Sequence, residues 1–399
     1  MIPKASCPRL LIAILALISV LVGCASAQGS PPQTGSNPVP SEKPSIGRLR
    51  AAYKAEREYD AELEAKNYPQ GFVKRLHAGV DECSLYVVMN GSEGLWATHD
   101  GGESWQHSFA FRERKSASGR AHIGKSVFDI AEDRDRKLLY IATDDGVFQS
   151  RDQGQSWVRF SDGLPYEDHD FLTPTILRLS LDPASGDVYG EVSLDGFGIY
   201  KTGCDKAGWK PIGAGLPESS ITGEVCYGPA DKSVYVVQGR AGAIMISGFK
   251  ASATGIYKGI PKGAGYRWVH EDLPLEKSDF DPVGALRADP ISGDLYACTY
   301  SGLYRKSKDA WKLTLECPFV RAVAFENGGS LRAVAFAAAG CYLRSGVAWQ
   351  PLVTPWDPRA IVSSACFVNG SLFVGTNEGL FVSRDSGASW SRLKAPTVD

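Results

Sequence analysis

Residues 383–390 read SRDSGASW, and looser copies of this octet occur as THDGGESW at 98–105 and SRDQGQSW at 150–157. Each copy places a Ser or Thr, an Asp, a Gly and a Trp at one fixed spacing. A hydroxyl and a carboxylate this close together can accept the backbone N–H groups of a tight turn, while Gly takes a left-handed conformation and Trp fills space between sheets. The octets therefore predict structural turns, and their aspartates are not predicted to be catalytic.

Each octet ends a longer repeating unit. It follows a Gly-aromatic strand pattern, as in GLFVS at 379–383, and a second recurring half such as LDPASGDVYGEV at 181–192 comes before that strand and indicates two short strands around a polar turn. Degenerate copies of the octet half lie at 198–209, 255–268, 302–311 and 341–349. Seven units spaced by roughly 40 to 57 residues are typical of propeller blades.

Residues 71–395 are therefore predicted to form an all-β domain, a seven-bladed β-propeller of four-stranded antiparallel blades. The last unit completes its own fourth strand near Leu393. The seventh blade is accordingly expected to pack against the first without strand exchange.

The octets resemble the Asp-box, also called the BNR repeat, whose pattern is S/T-x-D-x-G-x-x-W. The matching residues are Thr98, Asp100, Gly102, Trp105, Ser150, Asp152, Gly154, Trp157, Ser383, Asp385, Gly387 and Trp390. In repeat number and size the chain is most similar to the noncatalytic photosystem II stability and assembly factors, and this resemblance implies a binding or scaffolding role. Sialidases are less similar, because no Phe/Tyr-Arg-Ile-Pro stretch precedes the first octet and no set of three arginines with a Tyr/Glu pair is recognisable.

The N-terminus has the pattern of a targeting segment. Lys4 and Arg9 come before or at the start of an apolar stretch, 10–23, that is short for a membrane-spanning helix. Its end, LVGC, resembles the lipobox of bacterial lipoproteins. This implies a signal peptide over 1–23 and lipidation of Cys24. The alternative is an ordinary secretory leader cleaved near Ala25–Ala27.

Either interpretation places the mature chain outside the cytoplasm, in the cell envelope. Ala25 after the cysteine is similar to lipoproteins sorted to an outer membrane, where the organism has one. Residues 24–45 are rich in Pro, Ser and Gly and predict a disordered tether. Residues 46–68 contain good helix formers with a thin apolar stripe, which predicts a short helix, solvated or docked on the propeller.

Composition and the absence of known motifs exclude several classes of function. The 399 residues carry a formal charge of -2, too little to indicate a nucleic-acid partner. No CxxC, HExxH, P-loop or nucleophile-elbow pattern occurs, so no metal or cofactor is predicted. Beyond Cys7 and Cys24 the chain has seven cysteines. One or two disulfides among the last four, or buried free thiols, are both expected alternatives in an oxidising exterior.

Function is expected on the rim opposite the octets, because the octet turns join strands three and four. The longest loops predicted on that rim are 108–124, 161–174, 239–254, 270–283 and 354–359. The binding candidates on them are Arg112, Arg114, Tyr166, His169, His270, Trp356 and Arg359. Trp356 is interpreted either as an exposed ligand contact or as a core residue between blades.

Two function classes remain open. The first is a lipid-anchored, extracytoplasmic propeller that binds a protein or glycan partner at its loop-rich face without turning it over. The alternative is a carbohydrate-active hydrolase, glycosidase-like or sialidase-like, that uses Asp168, Asp170, Glu271 and Asp272. Carboxylates paired about 5 to 10 Å apart in one cleft would favour the hydrolase.

Overall fold

The computed structural model describes the propeller and part of the segment that precedes it. The described residues are 54, 55, 58, 59, 61–63, 73–81, 83–89, 94–111, 114, 115, 121, 122, 126–165, 175–193, 198–217, 222–238, 255–263, 265–274, 283–317, 319–326, 332–337, 340–346 and 348–394. The predicted signal peptide, Cys24 and the predicted tether lie outside these residues. They stay sequence predictions.

Seven four-stranded antiparallel sheets follow one another along the chain, each built from four consecutive strands. Blades one to three comprise β1 (Val73–Ala78), β2 (Leu85–Met89), β3 (Leu95–Thr98), β4 (Gln106–Phe109); β7 (Val127–Asp133), β8 (Leu138–Thr143), β9 (Gly146–Ser150), β10 (Val158–Arg159); and β11 (Thr175–Leu181), β12 (Val188–Ser193), β13 (Gly198–Thr202), β14 (Lys210–Pro211). A small hairpin, β5 (Arg114–Lys115) with β6 (Ala121–His122), lies between blades one and two.

Blades four to seven repeat the same order. They comprise β15 (Thr222–Gly228), β16 (Ser233–Gln238), β17 (Gly255–Lys262), β18 (Gly265–Glu271); β19 (Val283–Ala288), β20 (Leu295–Thr299), β21 (Gly302–Ser307), β22 (Ala310–Glu316); β23 (Val320–Phe325), β24 (Ala333–Ala337), β25 (Gly340–Ser345), β26 (Ala348–Leu352); and β27 (Val362–Val368), β28 (Ser371–Thr376), β29 (Gly379–Ser383), β30 (Ser391–Leu393). The predicted seven-bladed propeller is confirmed.

The second strand of a blade is its most buried. Every residue of β2, β8 and β16 is buried, because each blade is covered on both faces by its neighbours. A strand buried on both faces shows a continuous apolar run in the sequence instead of alternation. Large aromatic side chains such as Tyr140, Tyr235 and Tyr296 are fully buried in these strands.

The core is divided among the interfaces between blades. Tyr140 and Val147 of blade two, for example, pack with Ile176 and Trp209 of blade three. Each interface has its own apolar cluster of this kind, and one of these clusters joins the first blade to the last. The ring is therefore held by lateral packing between consecutive sheets.

The ring closes without strand exchange, as the sequence predicts, because β27 to β30 form a complete blade. Val73 and Leu76 of β1 pack against blade seven in the closing cluster. The Leu76 N–H donates to Ser364 Oγ at 3.0 Å, and Ser363 Oγ donates to the Val73 carbonyl oxygen. Closure thus depends on side chains of strand one in blades one and seven.

Residues 54, 55, 58, 59 and 61–63 are helical and fall within the segment for which a short helix is expected. Tyr59 and Leu63, each 7% exposed, join the apolar cluster between blades six and seven. The helix is thus docked on the propeller. Among the described residues, no helix is both long enough and apolar enough to span a membrane.

All seven cysteines of the propeller are free thiols, so the predicted disulfides among the last four are wrong. Cys83 is exposed and the other six are buried within blades. Burial raises the pKa of Cys226 and of Cys298 to about 12. The six buried thiols instead act as small apolar side chains, which is the alternative interpretation.

Candidate functional site

The three octets make the same set of hydrogen bonds. In the second, Ser150 Oγ donates to Asp152 Oδ1 at 2.8 Å and accepts the Gly154 N–H at 2.8 Å. Asp152 also accepts the Ser156 N–H at 2.8 Å. Gly154 has a φ of 83°, which favours glycine. Equivalent bonds occur at Thr98–Asp100 and Ser383–Asp385.

These contacts occupy the octet carboxylates with their own turns. The hydrogen bonds from Ser389 hold the pKa of Asp385 at about 2, below its ordinary value of 3.8, and the pKa of Asp100 is lowered by Ser104 in the same way. An acid held ionised by its own turn is a poor proton donor. The geometry is that of a structural turn.

The Trp of an octet reaches the blade before it. Trp157 Nε1 donates to the Ser108 carbonyl oxygen at 3.0 Å, and Trp390 Nε1 donates to the Val353 carbonyl oxygen at 3.0 Å. All three octet tryptophans, Trp105, Trp157 and Trp390, are half-buried and pack at the edge of the apolar cluster between two blades. The deeply buried example is Trp209, which follows a degenerate octet and donates to the Phe160 carbonyl oxygen at 2.8 Å.

Several predicted candidates cannot be placed. Arg112, Tyr166, Asp168, His169 and Asp170 lie outside the described residues. Arg114 belongs to the small strand β5, and its side chain also lies outside what is described. Their roles at the loop-rich rim stay predictions.

Trp356 is 7% exposed, so its interpretation as an exposed aromatic is wrong and the alternative of a core residue holds. Its ring lies 5.2 Å from those of Phe381 and Trp390. It belongs to the same cluster as Tyr59 and Leu63 of the N-terminal helix. The helix covers part of the Trp356 side chain, and the sequence alone did not predict this contact.

Arg359 also contacts the helix. Its guanidinium lies 4.4 Å from the Tyr59 ring centroid, and Nη1 lies 3.2 Å from Glu62 Oε1. Tyr59 Oη donates to Glu378 Oε1 at 2.6 Å, and that carboxylate also accepts the Asp357 N–H. The loop 354–359 therefore receives the chain's own helix.

Glu271 and Asp272 do not form a pair of cooperating acids. Glu271, at the end of β18, is 17% exposed in its side chain and accepts Lys306 Nζ at 2.5 Å and Trp311 Nε1 at 3.3 Å from the next blade. The Asp272 side chain is 91% exposed and pairs with His270 Nδ1 at 3.0 Å. Glu271 therefore acts as an ion-pair partner between two blades.

The inner strands contain a feature that the sequence analysis missed. Each first strand has a register shift at the same place, and a bulge of this kind redirects the side chain that follows it. The shifts lie at Val73/Arg75, Val127/Asp129, Ile176/Arg178, Thr222/Glu224, Val283/Ala285, Val320/Ala322 and Val362/Ser364. The residues after the bulge are charged and alternate in sign in blades one to four, and they are small in blades five to seven.

The charged members form an ion-pair network beside the central channel. Arg75 Nε lies 2.9 Å from Asp129 Oδ1. Glu224 is shared, with Oε1 2.9 Å from Arg178 Nε and Oε2 2.7 Å from Arg287 Nη1. Three guanidinium groups thus converge on two carboxylates within the first five blades.

The three guanidinium groups of the network are charged at neutral pH. Burial lowers the pKa of Arg75 to about 10, still far above neutrality. Burial also opposes the charge on Arg178 and Arg287, but Glu224 and Asp129 outweigh it and leave both pKa values raised. A buried network in which each charge has a partner is stable only as a whole, since removal of one member leaves another uncompensated.

A cavity of about 610 Å³ lies in the channel beside this network. One wall carries polar groups, among them His77, Glu132 and Arg287. The other wall, from blades six and seven, is formed by small and aromatic side chains such as Ala324 and Phe325. A few polar groups facing an apolar wall are typical of small-ligand pockets of this size.

The cavity opens on the octet rim. Its lining includes exposed Pro183 and Pro290, which lie in turns between strands one and two. These turns share a rim with the turns between strands three and four. The sequence instead predicts the ligand mouth on the opposite, loop-rich rim, whose longest loops lie largely outside the described residues.

A signal for the channel network exists in the sequence. A charged residue recurs at one point of the first strand in four successive units, as in KRLHA, DIAED, LRLSL and GEVCY. Recognising them requires the blades to be aligned on their inner strands, whereas the octets align the outer ones. Within the described ranges no group of three or more His, Cys, Asp or Glu residues could hold a metal ion.

Comparison with known proteins shows the fold. No protein-family model matches the chain, and no curated protein matches it. The extracellular domain of the putative one component system BT4673 from B. thetaiotaomicron is 15% identical with a TM-score of 0.53, covering 78% of this chain and 38% of that one. Virginiamycin B lyase from Staphylococcus aureus is 10% identical with a TM-score of 0.52, covering 77% and 92%.

YCF48 bound to D1 peptide is 14% identical with a TM-score of 0.49, covering 78% of this chain and 92% of that one. This chain spans less than two fifths of the BT4673 domain. At such identities a likeness shows a shared propeller architecture only. The chain is therefore similar in fold to propellers of bacterial extracellular domains, and its function has to be argued from its own residues.

Proposed function

We propose that this chain is a lipid-anchored, extracytoplasmic propeller that binds a protein or glycan partner without turning it over, with the channel cavity as its ligand site. One observation carries the proposal. A cavity of about 610 Å³, polar on one wall and apolar on the other, opens beside a network whose acids are all committed to arginines. Such a site can hold a ligand, and Glu132, which also lines it, is paired with His77 and Arg134.

A glycosidase-like mechanism needs two carboxyl groups in different protonation states on either side of one bond. In the channel, Asp129 and Glu224 each hold one or two guanidinium groups. On the outer strand, Glu271 holds Lys306. The channel has three arginines, Arg75, Arg178 and Arg287, which is the number that would form an anion clamp. Protein carboxylates already pair with all three. These pairings support binding over hydrolysis.

The docked helix supports one orientation of the propeller relative to the membrane. Each inner strand begins at the loop-rich rim, and the helix that precedes β1 is held there by Tyr59, Glu378 and Arg359. A tether leading back to Cys24 would leave from that rim. The octet rim, with the open cavity, would then face away from the membrane, where a partner can reach it.

The anchor has its own test. If Cys24 carries the lipid, Cys24→Ala removes every acyl chain, so we expect the protein to be unprocessed or released from membranes. Fatty-acid labelling of the variant would contradict the assignment.

The cavity is tested by filling it. Ala78 of blade one and Ala324 of blade six both line it, and both side chains are partly accessible. We expect Ala78→Trp and Ala324→Trp each to abolish capture of the partner from solubilised envelope membranes at an unchanged thermal midpoint. A Trp in place of Val158, an exposed residue of the outer strand β10, serves as the control. Full capture by both channel variants would overturn the assignment of the ligand to the cavity.

A further inference from the structure

One position, on the third strand of each blade, determines how each interface is filled at the octet rim. It is the residue paired with the first residue of strand two, or with the second residue in blades two, four and seven. In blade order these residues are Thr98, Ser150, Thr202, Gly259, Lys306, Arg344 and Ser383. Four blades therefore have a hydroxyl there, two have a long cation and one has no side chain.

The hydroxyl blades fill their interfaces with a loop. In blade two, strands three and four pair up to Gln149 and Val158, so the whole octet 150–157 forms the loop that connects these two strands. That loop packs against blade one, where Ser108 Oγ donates to the Gly154 carbonyl oxygen at 2.6 Å and Tyr86 Oη donates to the Gln153 carbonyl oxygen at 3.0 Å. The space between the two blades is closed.

The cation blades fill their interfaces with a side chain. Their third and fourth strands pair at Ser307 with Ala310 and at Ser345 with Ala348, which leaves only tight turns. Buried Lys306 extends to Tyr235 Oη of blade four at 3.2 Å, and buried Arg344 extends to Tyr296 Oη of blade five at 2.5 Å. Each long side chain occupies the space that an octet loop fills elsewhere.

Blade four has neither device. Lys262 pairs with Gly265, so its turn is tight, and Gly259 has no side chain; the Trp268 ring of the same blade lies against it. A cleft of about 510 Å³ remains between blades three and four. We call it the interface cleft.

Tyrosines line the floor of the interface cleft. Tyr189 and Tyr227 stack with ring centroids 5.9 Å apart and an interplanar angle of 11°, and Tyr189 Oη lies 3.3 Å from Tyr266 Oη. Gly263 and Gly265 form part of the wall with bare backbone. Aromatic hydroxyls and uncovered peptide groups are suitable partners for a ligand rich in hydroxyls.

Lysines line the edges of the interface cleft. Lys201 is paired with Asp187 at 2.6 Å. Lys210 of blade three and Lys232 of blade four also line the cleft, both are exposed, and neither forms an ion pair with any residue the structure describes. A carboxylate bound between them would have a cation on each side.

We propose that the interface cleft binds a carboxylated saccharide, whose hydroxyls bond the tyrosines and glycine backbone and whose carboxylate lies between Lys210 and Lys232. A peptide fits less well. The adjoining edge strand is only Lys210–Pro211, and proline removes one of its two N–H groups, so little edge is available for an added strand. The interface cleft and the channel cavity share Tyr227, but Lys210 and Lys232 line the cleft alone.

The test is calorimetric titration of the full-length protein in detergent with trigalacturonate, maltotriose as the neutral trisaccharide and hexaglutamate as the acidic peptide. We expect saturable binding of trigalacturonate alone, weakened by added salt. Combined Lys210→Gln and Lys232→Gln should weaken it by about tenfold or more, since two charge-assisted contacts are lost.

Lys262→Gln is the matched control, because Lys262 is an exposed lysine of the hairpin that forms one wall, and it does not itself line the cleft. It should bind trigalacturonate as the unmodified protein does. An equal loss in the control, binding of maltotriose or hexaglutamate as tight as that of trigalacturonate, or no saturable binding of trigalacturonate would each overturn the proposal.

Discussion

At the residue scale, the octet hydroxyl is a more critical atom than the octet carboxylate. Ser150 is buried and its Oγ accepts the buried Gly154 N–H, whereas Asp152 is only half-buried and accepts the N–H of exposed Ser156, which water can also reach. A buried donor that loses its acceptor costs far more than an exposed one. The hydroxyl therefore contributes more to stability than the conspicuous acid does.

Ser150→Ala tests this ranking. We expect it to lower the free energy of unfolding by about 1 to 3 kcal/mol, because the Gly154 N–H is left buried without an acceptor. Ser156→Ala is the control, since Ser156 is an exposed hydroxyl of the same octet bonded to Asp152. Its effect should stay within about 0.5 kcal/mol. Denaturant unfolding measures both, and equal losses would contradict the ranking.

At the element scale, the N-terminal helix is a docked element, not part of the tether. It buries Tyr59 and Leu63, and its Glu62 pairs with Arg359. Its helix formers alone would not keep so short a segment folded in water. The propeller surface at 354–359 therefore stabilises the helix, and the helix covers Trp356 in return.

Tyr59→Ala should undock the helix, because it removes a buried ring and the hydrogen bond to Glu378, a loss of about 3 to 5 kcal/mol of docking free energy. Proteolysis should then cut between residues 46 and 70 much faster while the propeller stays intact. Lys54→Ala changes an exposed residue of the same helix and should leave the rate unchanged. An unchanged cleavage pattern for Tyr59→Ala would show that the helix is held elsewhere.

At the scale of the whole molecule, the ring depends on a close contact between its last and first blades. A Cβ placed on Gly375 of β28 would lie 2.4 Å from Val73 Cγ1 of β1. Side chains at these two positions therefore compete for one space.

Gly375→Ala should cost about 1 to 3 kcal/mol through overpacking, and Val73→Ala about 2 kcal/mol through lost burial. In the double variant the clash with Val73 Cγ1 is gone and only the contact with Cβ at 2.9 Å remains, so the total should fall at least 1 kcal/mol short of the sum. Gly190→Ala, in the distant blade three, should add normally to Val73→Ala. Additivity in the closing pair would contradict closure through this contact.

Some features of the fold and the site could be predicted from the sequence, and others could not. The octets and Gly-aromatic strands predicted the seven blades and the closure without exchange, because each turn is determined by residues close together in the chain. Trp356 was ambiguous because its cover comes from Tyr59, about three hundred residues earlier. The Arg75, Asp129 and Glu224 network was missed because its members are brought together only by the ring.

The central claim, that a partner is bound in the channel cavity, is tested most directly by site-specific photocrosslinking. A diazirine amino acid at Ala324 lies in the cavity, one at Arg359 lies beside the docked helix, and one at Val158 lies on the outer surface, 70% exposed. In native envelope membranes, the channel position should give one defined covalent adduct with an unaltered partner, and the other two should give none. An adduct from Arg359 or Val158 with none from Ala324 would contradict the claim.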